Sequence, residues 1–198
     1  MAHLAAATSR RPVKSARTAG GAKAFELIKE KSFFKGSFTL VSGRVTDYYL
    51  DMKPTMFDPE GARLLADLVL MHLEDTGVES IGGLEMGAVP LISAVAMMSG
   101  MIGRPIPGFF VRKNVKDHGT KRLVEGTAAI AGKRVAILDD VTTTGASAMI
   151  AADAAREAGA TVELVLSVVD RQEGAGEFFK RSGMPFAWLF TASDFKLG

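Results

Sequence analysis

The chain of 198 residues predicts an α/β fold, a parallel twisted sheet flanked by helices, with a small N-terminal hood. Two patterns along the sequence predict it. Short apolar segments that suit buried strands alternate with longer segments that have helical spacing. Residues 134–138 and 161–169 are also apolar at most positions, which is typical of parallel strands covered on both faces.

Caps, glycines and periodicity give the boundaries of the individual elements. Asp58, Pro59 and Glu60, for example, place an N-cap acid, a proline and a first-turn acid at a helix start. The predicted helices span 22–34, 59–75, 88–99, 145–158 and 174–182. The predicted strands span 38–41, 48–50, 80–83, 106–111, 134–138, 161–169 and 187–190.

In this prediction the chain divides into a tail and a single domain. Residues 1–21 form a flexible basic tail, and residues 22–198 form the domain. The hood is mainly 22–57 plus a C-terminal segment, and the core is about 58–172. We expect the hood to lie over the carboxyl edge of the sheet, because ligands bind at that edge in open α/β folds.

The basic surplus of the chain belongs to the tail. The first 25 residues contain no acid and carry Arg10, Arg11, Lys14, Arg17 and Lys23. Without those five, 19 basic side chains stand against 22 acidic ones, so the folded body has no general bias toward nucleic acid. The tail lacks the apolar stretch of a secretory signal, and its composition fits either a disordered extension or an organelle transit peptide.

The absence of cysteine excludes disulfides, cysteine-based zinc sites and cysteine nucleophiles, and it suits a reducing compartment. The longest apolar runs, at about 86–98 and 134–141, are too short or too interrupted to span a bilayer. We therefore expect a cytoplasmic protein with no nucleic-acid or membrane partner.

Residues 135–147 contain the strongest functional pattern, a buried strand that leads through two acids into a hydroxyl-rich loop and a helix. Backbone N–H groups at such a helix start attract an anion, and Gly145 lets the backbone approach a phosphate closely. Asp139 and Asp140 can accept hydrogen bonds from vicinal ribose hydroxyls. An ordinary strand–turn–helix would not need two adjacent acids followed by three threonines. The segment therefore predicts a sugar-phosphate site, and no P-loop motif competes with it.

A second pattern is a run of possible cations after the predicted strand 106–111: Arg112, Lys113, Lys116 and His118. Like charges so close together repel one another, so the run makes a poor structural element. It suits a mobile loop that closes on a polyanion such as pyrophosphate, although a solvated charged loop would look the same.

Arg171 follows the end of the predicted strand 161–169. A guanidinium there can bind a carboxylate through two parallel hydrogen bonds. The alternative is an ion pair with Asp170 or Glu173.

These segments resemble the type I phosphoribosyltransferases over roughly residues 25–190. The segment 135–147 resembles their signature for 5-phosphoribosyl diphosphate (PRPP). The run Arg-Lys-x-x-Lys-Asp-His-Gly at 112–119 resembles the catalytic loop of the orotate phosphoribosyltransferases. The run Asp-Arg-Gln-Glu at 170–173 resembles the segment that carries their orotate-binding arginine, and 42–51 resembles their hood segment.

The resemblance implies the type I phosphoribosyltransferase fold and a Mg²⁺-dependent transfer of the phosphoribosyl group from PRPP to orotate, a step of de novo pyrimidine (UMP) synthesis. The implied catalytic residues are Lys113, Lys116, His118, Asp139 and Asp140. PRPP binding is implied for Arg112, Lys113, Lys116, His118, Asp139, Asp140, Val141, Thr142, Thr143, Thr144, Gly145, Ala146 and Ser147. Orotate binding is implied for Thr143, Arg171, Tyr49 and Leu50.

The resemblance also implies a homodimer in which loop 112–120 reaches the neighbouring site. Mg²⁺ is expected to be held by PRPP or pyrophosphate oxygens and water, with no dedicated protein site. Lys116 or His118 would donate a proton to the leaving group. The sequence departs from many relatives at Val41 and Gly87, where they have lysine. Backbone N–H groups of 83–88 could replace the contact to pyrophosphate that the second lysine makes.

Three other functions compete with this prediction. A phosphoribosyltransferase for another base would have no use for a carboxylate-binding Arg171. A PRPP-sensing regulator would need no cationic closing loop and would usually carry a nucleic-acid-binding module. A plain interaction domain would leave residues 139–147 unexplained.

Overall fold

The structure is a computed structural model, and it describes residues 11–12, 18–39, 43, 45–113, 123–126 and 129–196. Its strands are β1 (Arg11–Pro12), β2 (Phe33–Thr39), β3 (Val45–Leu50), β4 (Ser80–Gly82), β5 (Phe109–Val111), β6 (Val124–Gly126), β7 (Arg134–Thr142), β8 (Thr161–Asp170) and β9 (Phe186–Thr191). Its helices are α1 (Ala19–Lys31), α2 (Lys53–Met56), α3 (Pro59–Leu73), α4 (Val89–Met101), α5 (Ala146–Glu157), α6 (Ala175–Arg181) and α7 (Ala192–Lys196).

The central sheet has the strand order β1-β9-β8-β7-β4, and every neighbouring pair in it is parallel. A parallel bridge between Ile81 and Gly108 brings the start of β5 beside β4. The α/β prediction is therefore confirmed. The long strands β7 and β8 lie at the centre, and Thr142 pairs with Asp170 where both strands end.

Apolar side chains cover both faces of the sheet, which explains the continuous apolar runs. Successive side chains of a strand point to opposite faces. Ala136 and Leu138 of β7 accordingly join the cluster formed with α1, α3, α4 and the hood, while Val135 and Ile137 join the cluster under α5 and α6. A strand buried on both faces needs apolar residues at successive positions.

The hood is the antiparallel pair β2–β3, with Phe33 opposite Leu50 and Thr39 opposite Val45. Phe33 stacks on Tyr48 with 5.3 Å between ring centroids, and it also stacks on Phe195 of the C-terminal helix α7. The pair β2–β3 and the C-terminal helix α7 therefore pack together. The division into tail, hood and core stays a prediction.

The helix start at Asp58 is confirmed: its carboxylate accepts hydrogen bonds from the N–H groups of Glu60 and Gly61 at 3.0 and 2.9 Å. Other boundaries were wrong. The predicted tail extends to residue 21, yet α1 begins at Ala19 because Thr18 caps it, and Arg11–Pro12 pairs with β9. β2 begins at Phe33 inside the predicted helix, because the buried Ser32 turns to bond Thr55 at 2.7 Å.

Four short elements were not predicted: β1, β6, α2 and α7. β6 pairs antiparallel with β5, which itself is shorter than the predicted strand 106–111. β7 in turn runs four residues past its predicted end, through Asp139 and Asp140 to Thr142. Strands of two or three residues and helices of about one turn have too few positions to show a period, so tertiary contacts define them.

Gly82 should be indispensable for packing, because a methyl group at its Cα would overlap the ring of the buried Phe109. We expect Gly82→Ala to lower the free energy of unfolding by about 3 kcal/mol, since overpacking forces the backbone to shift. Gly100 is the matched control: it lies in α4 with open space around its Cα, so Gly100→Ala should raise stability by about 0.5–1 kcal/mol. Urea unfolding of both variants measures the difference, and equal effects would contradict the packing described.

Candidate active site

The candidate site lies at the carboxyl edge of the sheet, where β7 and β8 end together. The backbone N–H of Arg171 donates to the carbonyl of Thr142 at 2.9 Å, and that of Ala175 donates to the carbonyl of Thr143 at 3.3 Å. These two bonds join the loop after β7 to the turn after β8. Two of the three predicted functional segments are therefore neighbours.

Asp139 is almost completely buried, with 9% of its surface exposed. The hydroxyl of Thr142 donates to its Oδ2 at 2.7 Å. Burial, with a smaller contribution from the charge of Asp140, raises the pKa of Asp139 to about 7. Near neutral pH this carboxyl can therefore both accept and donate hydrogen bonds, which suits contact with a hydroxyl.

Asp140 is half-buried beside Asp139, and burial raises its pKa above the ordinary value. The positive charge of Lys53 opposes that rise, and the negative charge of Asp51 adds to it. Lys53 Nζ lies 2.7 Å from Asp51 Oδ1. Neither Lys53 nor Asp51 was predicted as a site residue, because only the folded hood brings the start of α2 near the end of β7.

Gly145 is the N-cap residue just before α5, and its backbone is in the left-handed region, with φ of 90°. A Cβ there would lie 2.8 Å from the ring of Phe179, so both conformation and packing require glycine. The start of α5 has no side-chain cap and no acid in its first turn, which leaves it suited to an external anion. Thr143 is half-buried, while Thr144, Ala146 and Ser147 are exposed at this edge.

The segment 83–88 lies against the same edge, and its predicted contact with pyrophosphate stays a prediction. A Cβ on Gly87 would lie 2.7 Å from Asp140 Oδ1, so this loop runs directly beside the acid pair. Glu85 Oε1 accepts a hydrogen bond from the backbone of Lys113 at 2.9 Å. The start of the cationic loop is therefore tied to the same segment.

The cationic loop is described only at its start. Arg112 Nη1 lies 3.2 Å from Glu125 Oε1 of β6, and its buried Nε has no hydrogen-bond partner in the described part of the chain. Lys113 lies at the end of β5, beside Glu85. Lys116 and His118 lie outside the described residues, as does Val41, so their predicted roles stay predictions.

Arg171 has only 8% of its side chain exposed. Its Nε donates to the hydroxyl of Tyr48 at 3.1 Å, and its guanidinium carbon lies 4.8 Å from the centroid of that ring. Its Nη2 lies 2.8 Å from Glu173 Oε1. The ion pair with Glu173, considered as an alternative from the sequence, is therefore present, but the arginine is buried at the site.

Tyr48 is the hood residue that contacts Arg171, whereas the resemblance implies orotate contacts for Tyr49 and Leu50. Neighbouring residues of β3 point to opposite faces, so Tyr48 and Leu50 are buried while Tyr49 is 42% exposed and packs on Phe38. The alternation along β3 places Tyr48 on the same face as Leu50, so it could have identified Tyr48 as the inward-facing tyrosine. The proposed orotate contacts of Tyr49 and Leu50 stay predictions.

Within the described ranges, His, Asp and Glu side chains form no group of three or more that could hold a metal ion. Within the same ranges, no helix combines the length and apolarity that a membrane crossing needs.

The raised pKa of Asp139 predicts a pH-dependent effect of Asp139→Asn. Above pH 4 the unfolded chain loses this proton, and the folded chain keeps it until about pH 7. The aspartate therefore lowers stability progressively between those values. Asparagine does not ionise and can still accept from Thr142, so relative to the wild type the variant should gain about 3 kcal/mol of stability between pH 4.5 and pH 8.

Urea unfolding at both pH values measures that gain, with Asp153→Asn on the exposed face of α5 as the control. A gain that is the same at both pH values would contradict the raised pKa.

None of the protein-family models compared with the chain matches it. Individual relatives do match. The orotate phosphoribosyltransferase of Bradyrhizobium sp. (strain BTAi1) is 52% identical over 182 residues, which cover 90% of this chain and 98% of the relative. That of Nostoc sp. (strain PCC 7120) is 40% identical over 172 residues, which cover 87% and 83%.

A solved structure agrees with these relatives. Orotate phosphoribosyltransferase of Mycobacterium tuberculosis in complex with PRPP superposes with a TM-score of 0.76 and 32% identity, covering 89% of this chain and 99% of that one. Sequence relatives and the solved structure share one name across nearly the whole length. The chain belongs to the orotate phosphoribosyltransferase family of glycosyltransferases.

Proposed function

We propose that this chain transfers the 5-phosphoribosyl group from PRPP to N1 of orotate, in the presence of Mg²⁺. The products are orotidine 5′-monophosphate and pyrophosphate, in de novo pyrimidine synthesis. One observation carries the proposal: Arg171 is buried at the sheet edge and bonded through its backbone to Thr142, where the sugar-phosphate loop begins. We place the reaction in the cytoplasm, which the cysteine-free sequence suits.

Arg171 selects the base in this proposal. Orotate carries a carboxylate, which a guanidinium binds through two parallel charge-assisted hydrogen bonds. Uracil, adenine and guanine lack that group and would leave a buried cation poorly paired. The aromatic face of Tyr48 already fixes the plane of the guanidinium, so the arginine is oriented before the base arrives.

The acid pair and the loop after it would hold the ribose phosphate. Asp139 and Asp140 bind the two ribose hydroxyls, and the N–H groups around Gly145 bind the 5′-phosphate. Contacts at both ends of the sugar fix the anomeric carbon relative to the base. Correct placement of the two reacting atoms is a large part of catalysis in a displacement of this kind.

The departing pyrophosphate gains negative charge as the bond to the anomeric carbon breaks. Arg112, Lys113, Lys116 and His118 would neutralise that charge, and Lys116 or His118 would donate the proton. The hydrogen bond from the Lys113 N–H to Glu85 holds the start of this loop beside residues 83–88, the segment proposed for pyrophosphate. Closure of the loop would exclude water from the activated sugar.

Mg²⁺ fits this site as a companion of the substrate. The acid pair Asp139 and Asp140 offers oxygen donors, which Mg²⁺ prefers, but they are two groups and not a full cage. These carboxylates would contact the ion through its water ligands. When bound, Mg²⁺ supplies positive charge to the diphosphate oxygens.

A homodimer completes the proposal, with loop 112–120 of one copy serving the site of the other. Apolar side chains that a second copy could cover lie exposed on α3 and α4 and just after α4: Met71, Met97, Met101 and Ile102. Their exposed fractions range from 49% to 73%. Large apolar side chains that are exposed together on neighbouring elements are typical of a surface that another protein covers.

Arg171→Ala should abolish most of the preference for orotate. We expect kcat/KM for orotate to fall about 10²- to 10³-fold while the KM for PRPP changes little, because the lost contact is to the base. The fall in orotate absorbance in the presence of PRPP and Mg²⁺ measures this effect. Arg181→Ala, an exposed arginine of α6, is the control.

Turnover of a purine base or of uracil, with none of orotate, would reject the orotate assignment. Tight PRPP binding with no turnover of any base would favour the regulator instead.

Mixing two inactive variants tests whether the loop acts in the neighbouring subunit. Lys116→Ala removes the loop cation from one chain, and Arg171→Ala removes the base contact from the other. In a mixed dimer one site combines the two intact halves, so an equal mixture should recover about a quarter of wild-type activity. No recovery after co-refolding, with dimers present, would show that each loop serves its own site.

A further inference from the structure

The guanidinium of Arg171 already faces a carboxylate of this chain. Its Nη2 lies 2.8 Å from Glu173 Oε1, with 23% of the glutamate side chain exposed. Glu173 lies in the turn between β8 and α6, next to Gly174, which has φ of 109°. The glutamate therefore lies in the turn itself, outside both β8 and α6.

The contact between these two side chains is incomplete as a hydrogen bond. The buried Nη2 is close to Glu173, but within the described part of the chain it finds no acceptor in a hydrogen-bonding direction. The Nε of Arg171, by contrast, donates a hydrogen bond to the hydroxyl of Tyr48. The buried guanidinium therefore has donor capacity that the free protein leaves unused, and a better-placed carboxylate would gain from it.

We propose that Glu173 sets the affinity of the site for orotate, because it occupies Arg171 in place of the orotate carboxylate until the base binds. This inference rests on the proposed function. A bare guanidinium in this buried position would be costly, and Glu173 relieves part of that cost. An incoming carboxylate that forms two parallel bonds displaces Glu173 into solvent.

A neutral base cannot make that exchange. It offers no charge to replace that of Glu173, so the glutamate stays on Arg171 and the base gains nothing from the arginine. Glu173 thereby lowers the affinity for orotate and leaves the affinity for neutral bases unchanged, so it narrows the difference between the two affinities.

Arg171 does not depend on Glu173 for its orientation. Tyr48 holds it from two directions, by the hydrogen bond to Nε at 3.1 Å and by the ring 4.8 Å from the guanidinium carbon. The backbone bond to Thr142 fixes the main chain of the arginine as well. Removing the charge of Glu173 should therefore free the guanidinium without misplacing it.

Glu173→Gln tests the proposal, because glutamine keeps the shape and removes the charge. We expect the dissociation constant for orotate, measured by calorimetry, and the KM for orotate to fall about three- to fivefold, as for the loss of a modest ion pair. The kcat and the KM for PRPP should stay unchanged. Glu177→Gln, which removes an exposed charge one turn further into α6, is the matched control and should change neither constant.

A KM for orotate that is unchanged or raised in Glu173→Gln would overturn the inference, since a purely structural glutamate would give those results. Thermal unfolding provides a second measurement. Saturating orotate should raise the Tm of Glu173→Gln more than that of the wild type, and an equal or smaller rise would also contradict the proposal.

Combination with Arg171→Gln separates this inference from the proposed function. If Arg171 binds the carboxylate, Arg171→Gln weakens orotate binding and Glu173→Gln then has no further effect. If Arg171→Gln leaves orotate binding intact, the proposed role of Arg171 fails. If Arg171→Gln weakens binding but Glu173→Gln alone does nothing, only the role of Glu173 fails.

Discussion

The parallel pairing of β7 with β8 is the constraint on which the site depends. The two strands stay paired to their ends, where Thr142 lies opposite Asp170 and the Arg171 N–H reaches the Thr142 carbonyl at 2.9 Å. A slip of one residue would turn every side chain of β7 to the opposite face, so Asp139 would exchange its position with Leu138. Backbone hydrogen bonds thus set the spacing between the groups proposed for the sugar and for the base.

The same edge holds charged groups in positions that a fold alone would not favour. Asp139 is buried with a pKa near 7, and Arg171 is buried against Tyr48 and Glu173. Each has partial compensation, from the Thr142 hydroxyl in one case and from the ring and the glutamate in the other. Buried charges with incomplete partners are expected where a ligand completes them, and both lie within one short stretch of the sheet edge.

Much of the fold was predictable because long buried strands and capped helices contain their own signals. The apolar runs of β7 and β8 and the Asp58 cap gave the core correctly. The short elements were missed because they have too few positions to show a period. α1 was placed three residues late, because its two ends depend on the Thr18 cap and on the contact of Ser32 with Thr55. At the site, 139–147 and Arg171 were predictable as local patterns. Tyr48 and Lys53 were not selected, because they approach the edge only after the hood folds over it.

A crystal structure with orotidine 5′-monophosphate bound tests the account most directly, because the product carries both a 5′-phosphate and the orotate carboxylate. We expect the phosphate to accept hydrogen bonds from the N–H groups of 143–147 and the ribose hydroxyls to bind Asp139 and Asp140. The carboxylate should bind Arg171, with Glu173 turned away. A phosphate bound elsewhere, or a carboxylate remote from Arg171, would contradict the claim that one edge of the β7–β8 pair recognises both ends of the product.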